Sequence, residues 1–251
     1  MTSTDITGRS AIVTGASRGF GRAITVALSK AGAQVTGVAR DPAPLADLAA
    51  ELGGSFTPVR ADAADPVVAG RLIDEHQPTI LVLNAGAAPL SRPIQRQTWQ
   101  TFSRNWEVDV QHAFGWVREA LLAPLPPGSV VVAVSSGAAL RGSPLSGGYA
   151  GSKATIRFLA SYAAAESQRD GLGIRFVSVL PQLTPATRLG AAAVAAYAAR
   201  QGTDVPAYLA AAGPTLTAEQ AGGAITELIT DPDQDQDAYL LTAAGLSPLP
   251  R

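Results

Sequence analysis

Short apolar stretches alternate with helix-forming stretches along most of this 251-residue chain, and that alternation restricts its fold more than any other feature. Strands are expected at Ser10–Thr14, Gln34–Ala39, Ser55–Arg60, Thr79–Leu83, Ser129–Ser135, Ile174–Leu180 and Ala238–Thr242. Helices are expected near Gly19–Lys30, Pro44–Leu52, Pro66–His76, Thr98–Ala123, Tyr149–Asp170 and Ala218–Thr230. The strands are apolar on both faces, and a helix separates each from the next. This predicts an α/β chain with a doubly wound, seven-stranded parallel sheet between helical layers. No Pro/Gly-rich linker divides residues 1–251, so one domain is expected. Pro124-Leu125-Pro126-Pro127-Gly128 reads as a helix stop before a strand.

Composition narrows the function classes. Hydrophobic residues make up 47% and charged residues 16%, enough apolar material for a large core. The 19 Lys and Arg nearly cancel the 20 Asp and Glu, and no basic cluster marks a nucleic-acid or membrane surface. Without cysteine there are no disulfides, thiolate metal sites or cysteine nucleophiles. Two histidines, His76 and His112, leave little for a metal centre or a Ser-His device. No signal-like or membrane-spanning run is visible, so a cytoplasmic, metal-free protein is expected.

The first expected strand runs into Thr14-Gly15-Ala16-Ser17-Arg18-Gly19-Phe20-Gly21 and then a helix. Glycines there allow a tight turn and close approach of a pyrophosphate to the helix N-terminus. The next strand ends in Ala39-Arg40, where such folds read the adenosine ribose. Arginine suits a 2′-phosphate, and Arg18 can supply a second guanidinium, so NADP(H) is expected over NAD(H). Asp41, one residue on, works partly against Arg40.

Tyr149 and Lys153 are four residues apart, which places them on one helix face about a turn from each other. An ammonium beside a phenol favours the phenolate, so the pair is a candidate acid/base device. Ser136 stands thirteen residues earlier, at a strand end. Residues 184–212 break the strand–helix alternation and include Gly190-Ala191-Ala192-Ala193-Val194-Ala195-Ala196-Tyr197. A helical flap over the C-terminal ends of the strands, where open α/β sheets bind ligands, is the expectation.

Together the turn, Ser136, Tyr149 and Lys153 resemble the short-chain dehydrogenase/reductase family from Gly8 to about Thr242. The resemblance implies that Gly15, Ser17, Arg18, Gly19 and Phe20 bind the cofactor and that Asp62 and Ala63 meet its adenine. It implies that Asn84, Ala85 and Gly86 lie against the adenosine side. It makes Tyr149 the proton donor and acceptor for a ketone or secondary alcohol, with Lys153 holding the nicotinamide ribose and Ser136 positioning the substrate oxygen. Pro181 and Thr184 or Thr187 then lie near the nicotinamide, with no choice between the threonines. The long helices 98–123 and 149–170 resemble those that pair between subunits, so a homodimer or homotetramer is expected, with Phe102, Trp106, Phe114, Phe158 and Tyr162 as candidates to face a partner.

Three departures stand out. The family's helix asparagine is replaced by Asp109, which can draw on the charge of Lys153; Asn105, one turn earlier, is a second register. Pro181-Gln182 replaces Pro-Gly, and Thr242-Ala243-Ala244-Gly245 replaces a terminal Asp-Gly-Gly. Two other readings keep the fold: a lyase, dehydratase or isomerase, and a non-catalytic NADP(H) sensor. The intact Ser136, Tyr149 and Lys153 set argues against a sensor. Phe20, Leu90, Leu140, Leu145 and Leu183 suggest a hydrophobic small-molecule substrate, with Arg92, Arg141 and Arg188 as solvated charges.

Overall fold

A computed structural model of the chain describes residues 4–250. The first half contains β1 (Ser10–Thr14), α1 (Gly19–Lys30), β2 (Gln34–Ala39), α2 (Pro42–Leu52), β3 (Phe56–Arg60), α3 (Pro66–His76) and β4 (Ile80–Leu83). Next come α4 (Trp99–Asn105), a π-helical turn (Trp106–Val110), α5 (Gln111–Leu122), β5 (Val130–Val134) and the single turn α6 (Ala138–Arg141). The chain continues through α7 (Gly147–Arg169), β6 (Arg175–Pro181), α8 (Arg188–Arg200), α9 (Val205–Ala212), α10 (Ala218–Thr230), β7 (Ala238–Thr242) and β8 (Gly245–Pro248).

One sheet collects all the described strands in the order β3-β2-β1-β4-β5-β6-β7-β8. Every neighbouring pair is parallel except β7 and β8. Successive residues of β1 enter opposite layers. Val13 packs with Ile24 and Leu28 of α1 and Ile225 and Leu228 of α10, while Ile12 packs with Leu72 of α3 and Trp116 of α5. Helix starts follow from local chemistry. Asp41 and Asp65 accept from the backbone amides of Ala43 and Val67, with proline in the first turn of α2 and α3. Thr217 and Gln220 form a reciprocal capping box on α10. The strand order reverses between β1 and β4, which places a ligand crevice beyond their C-terminal ends.

The seven-stranded expectation needs one correction: among the described residues the sheet has eight strands. Residues 242–245 turn the chain back, with Gly245 at φ +106°, and β8 pairs antiparallel along β7. Pro248 is tolerated there because β8 is an edge strand. The expected helix 98–123 is also not continuous α-helix, since the π turn interrupts it. The residues expected as a flap form α8 and α9.

Candidate active site

The turn after β1 is built for close approach. Gly15 and Gly19 lie at φ +68° and +56°, in the left-handed region that favours glycine. A Cβ on Gly21 would stand 2.1 Å from the Gly15 carbonyl oxygen, so only glycine lets α1 begin this near the turn. Thr14 ties the turn to β4, its hydroxyl accepting from the amides of Asn84 (2.9 Å) and Ala85 (3.1 Å). The Asn84 side-chain amide donates back to the carbonyls of Thr14 and Gly15 at 3.1 and 3.4 Å. These contacts bring the Asn84-Ala85-Gly86 segment against Gly15 and hold the floor of the crevice rigid.

At the neighbouring strand end, Arg40 is exposed and lies 4.0 Å from Asp62. Asp62 also accepts from the Ala64 amide at 3.0 Å, and the carbonyl of buried Ala63 accepts from Trp116 Nε1 at 2.9 Å. The Asp41 carboxylate caps α2. Arg18 is exposed at the N-cap of α1, and neither it nor Ser17 makes a side-chain hydrogen bond among the described residues. Phe20 packs against the core.

Ser136 follows the end of β5, half-buried, and its hydroxyl accepts from the Ala138 amide at 3.2 Å. Tyr149 and Lys153 lie on the first turns of α7, with Lys153 Nζ 5.7 Å from the centroid of the Tyr149 ring. Ser135 fixes helix to strand by donating to the Lys153 carbonyl at 2.7 Å. Lys153 Nζ donates to the Val134 carbonyl at 3.2 Å and is ion-paired with Asp109 Oδ2 at 3.3 Å. Both partners are almost fully buried.

The π turn supplies Asp109. Its extra residue per turn shifts the helix register here, and such turns recur where side chains must be aimed at a site. Asp109 Oδ1 accepts from the Ala87 amide at 2.7 Å and, more loosely, from Asn105 Nδ2 at 3.4 Å. Asn105 Nδ2 also donates to the Ala87 carbonyl at 2.7 Å. Asp109 and Asn105 therefore share one buried cluster beside Gly86, and the carboxylate takes the position facing Lys153. A Cβ on Gly86 would come within 2.9 Å of Asp109 Oδ2. His112 is buried beside this cluster; burial first, then the Lys153 charge, holds it down to about 3, so the imidazole is neutral.

After β6 the two threonines separate in role. Thr184 is buried, donates from its hydroxyl to the Leu216 carbonyl and accepts from the Ala186 amide at 3.1 Å. Thr187 caps α8, accepting from Gly190 at 3.0 Å, and its methyl carbon lies 3.4 Å from where a Gly19 Cβ would be. Thr187 is thus the residue over the glycine turn. Pro181 accepts from Gly137, next to Ser136, at 2.8 Å, and Gln182 Nε2 donates to the Pro214 carbonyl at 3.0 Å. Sequence reasoning missed the link from Ser143 to Tyr197, which ties the loop before Tyr149 to α8. No local pattern announces a contact between residues so far apart.

Comparison with known proteins gives the same outline. The family model described as short chain dehydrogenase matches residues 9–198. The chain is 31% identical over 183 residues to bovine (Bos taurus) L-xylulose reductase, covering 72% of this chain and 74% of that enzyme. It is 34% identical over 162 residues to chicken (Gallus gallus) D-erythrulose reductase, covering 63% of this chain and 65% of that enzyme, just under two thirds. Among solved structures, a candidate NAD(P)-dependent gluconate 5-dehydrogenase from Beutenbergia cavernae, with NADP bound at low occupancy, superposes with a TM-score of 0.78 at 27% identity over 92% of each chain. A 3-ketoacyl-(acyl-carrier-protein) reductase from Brucella melitensis, complexed with NADH, shares the fold with a TM-score of 0.78 at 22% identity over 95% of this chain and 98% of that one. With the glycine turn, the β4 end and the Ser136, Tyr149 and Lys153 set in these positions, the chain belongs to the short-chain dehydrogenase family.

Proposed function

We propose that this single-domain chain is an NADP(H)-dependent oxidoreductase that interconverts a ketone and a secondary alcohol, with Tyr149 as general acid and base. The observation carrying this reading is the placement of Lys153 Nζ 5.7 Å from the Tyr149 ring, beside the β5 end that bears Ser136. Relatives named as L-xylulose reductase and D-erythrulose reductase support the same reaction class.

The nicotinamide, when bound, supplies or accepts the hydride. Gly15, Ser17, Arg18, Gly19 and Phe20 would hold the phosphates over a turn that has no room for a side chain at Gly21. Asp62 and Ala63 would face the adenine, and Asn84, Ala85 and Gly86 the adenosine side. Arg40 and Arg18 favour a 2′-phosphate. The competing Asp41 carboxylate is engaged at the α2 cap, and the 4.0 Å contact with Asp62 joins two exposed groups, which exchange partners at little cost. Pro181 and Thr187 would border the nicotinamide, with Thr184 holding their backbone.

Ser136 would donate to the substrate oxygen and fix its position. Tyr149 would give that oxygen a proton during reduction and take it back during oxidation. Lys153 would hold the nicotinamide ribose, with its ammonium 5.7 Å from the Tyr149 ring centroid. Exposed Leu140 and Leu183 support a substrate that is apolar around the reacting carbon. Cytoplasmic location and a homodimer or homotetramer complete the proposal, the latter supported by exposed Phe114, Phe158 and Tyr162. Among the described residues no helix is long and apolar enough to cross a membrane.

The decisive experiment follows NADPH oxidation against a panel of ketones and aldehydes, with cofactor affinity measured separately by fluorescence. Turnover should fall at least 100-fold in Tyr149→Phe while NADPH affinity stays within a few fold. Cofactor binding without turnover on any carbonyl would overturn the redox reading, and equal affinity for NADPH and NADH would overturn the cofactor preference.

A further inference from the structure

A cavity of about 260 Å³ opens between the loop after β4, the loop before α7 and the C-terminal end of α8. Its wall includes Arg92, Pro93, Ile94, Ser143, Pro144 and Arg200, and contains no carboxylate. Gly147, also in the wall, lies two residues before Tyr149 on α7, so the cavity adjoins the catalytic helix. The walls are tied together: the Arg92 amide donates to the Leu145 carbonyl at 2.7 Å, and Ser143 is hydrogen-bonded to Tyr197 of α8.

Arg92 and Arg200 are set apart by lining one small cavity together, and not by lacking an acidic partner, which Arg18, Arg60, Arg96, Arg104, Arg141 and Arg188 also lack among the described residues. Arg22, Arg71, Arg118 and Arg169 are paired with glutamate or aspartate. The Arg92 and Arg200 side chains have neither an ion pair nor a hydrogen bond among the described residues, although both line one small cavity. The sequence around them is depleted of acids. No Asp or Glu occurs between Glu75 and Glu107, between Glu119 and Glu166, or between Asp170 and Asp204, the three stretches that supply the wall. In a chain of net charge −1 this leaves a locally positive rim. Guanidinium groups are fork-shaped donors that match the planar oxygens of a carboxylate or the oxygens of a phosphate.

We propose that Arg92 and Arg200 bind an anionic group of the substrate, a carboxylate or phosphate ester at the end remote from the reacting carbonyl. The proposal rests on the reductase reading above and deepens it. The apolar part of the substrate lies toward Leu140 and Leu183, and its charged end enters the cavity.

The test uses matched ketones with NADPH: 4-oxopentanoate, 5-oxohexanoate and 6-oxoheptanoate against their methyl esters, and dihydroxyacetone phosphate against dihydroxyacetone. At least one anionic member should exceed its neutral partner about 10-fold in kcat/KM, chiefly through KM. The pair that shows the preference distinguishes carboxylate from phosphate. Arg92→Gln with Arg200→Gln should remove the preference and leave kinetics on the neutral ketones unchanged; both residues are exposed, so folding should persist. A wild type that treats charged and neutral ketones alike, or a preference that survives the double variant, overturns the proposal. If no ketone is reduced, the reductase reading fails, and calorimetric titration with glutarate and inorganic phosphate decides the site alone. Binding of either anion that the double variant loses sustains it; no binding, or binding that the variant keeps, overturns it.

Discussion

At the scale of single residues, the unusual feature is a buried carboxylate set against the lysine of the acid/base pair. Asp109 Oδ2 makes no hydrogen bond among the described residues and is matched only by the Lys153 ammonium, 3.3 Å away. Neutral His112 contributes no compensating charge. Asp109 therefore draws part of the lysine's field away from Tyr149. Asp109→Asn keeps an oxygen for the Ala87 amide and removes the charge. The charge removed lies against the lysine beside Tyr149, so the pH profile of the oxidation rate should differ between the variant and the parent chain. Unfolding free energy should fall by about 3 kcal/mol, because the ammonium loses its buried counter-ion. A variant that is less stable but has an unmoved profile would reduce Asp109 to a structural tether for Ala87.

At the scale of elements, α7 must start in one place for Tyr149 to face the site, and α4 sets that place. A Cβ on Gly148 would stand 1.9 Å from the Phe102 carbonyl oxygen, whereas one on Gly147 would only touch the Phe102 ring edge at 3.4 Å. Backbone cannot yield as a ring can. Gly148→Ala should cost about 2–3 kcal/mol in stability and reduce kcat at least 10-fold by shifting the start of α7. Gly147→Ala should be neutral or slightly stabilising, since alanine favours helix. Melting temperatures and turnover of the two variants, measured side by side, check the contrast; equal behaviour would show that α7 is free to shift. The same region shows what could be read from sequence. Apolar strands and helices of ordinary period made the parallel sheet, the glycine turn and the Tyr149–Lys153 face legible in outline. The π turn was not, because five residues within a continuous helical stretch barely disturb its apolar pattern. Strand β8 was hidden for another reason: four residues ending in proline carry too little alternation to announce an edge strand. The engagement of Thr184 depends on the Leu216 carbonyl, a partner 32 residues away that no local spacing encodes.

At the scale of the whole molecule, large aromatic side chains of α4, α5 and α7 remain exposed after the sheet and its layers are packed. Helix α7 lies against both α4 and α5, and all three lie against the π turn, yet Trp99, Phe114, Phe158 and Tyr162 stay more than half exposed. Trp99 stacks on Phe102 and Phe158 on Tyr162, so the aromatic surface is already ordered within one chain. Large ordered aromatics lose little conformational entropy on association, which makes such a surface a favourable place for a second copy to dock. A self-complementary contact here would also brace α7 from outside, on the helix that carries Tyr149 and Lys153. Sedimentation velocity at micromolar concentration should therefore find a dimer or tetramer, and Phe158→Glu with Tyr162→Glu should convert it to a folded monomer with lower kcat. An unchanged oligomer in that double variant would move the interface elsewhere, and a monomeric wild type would remove it.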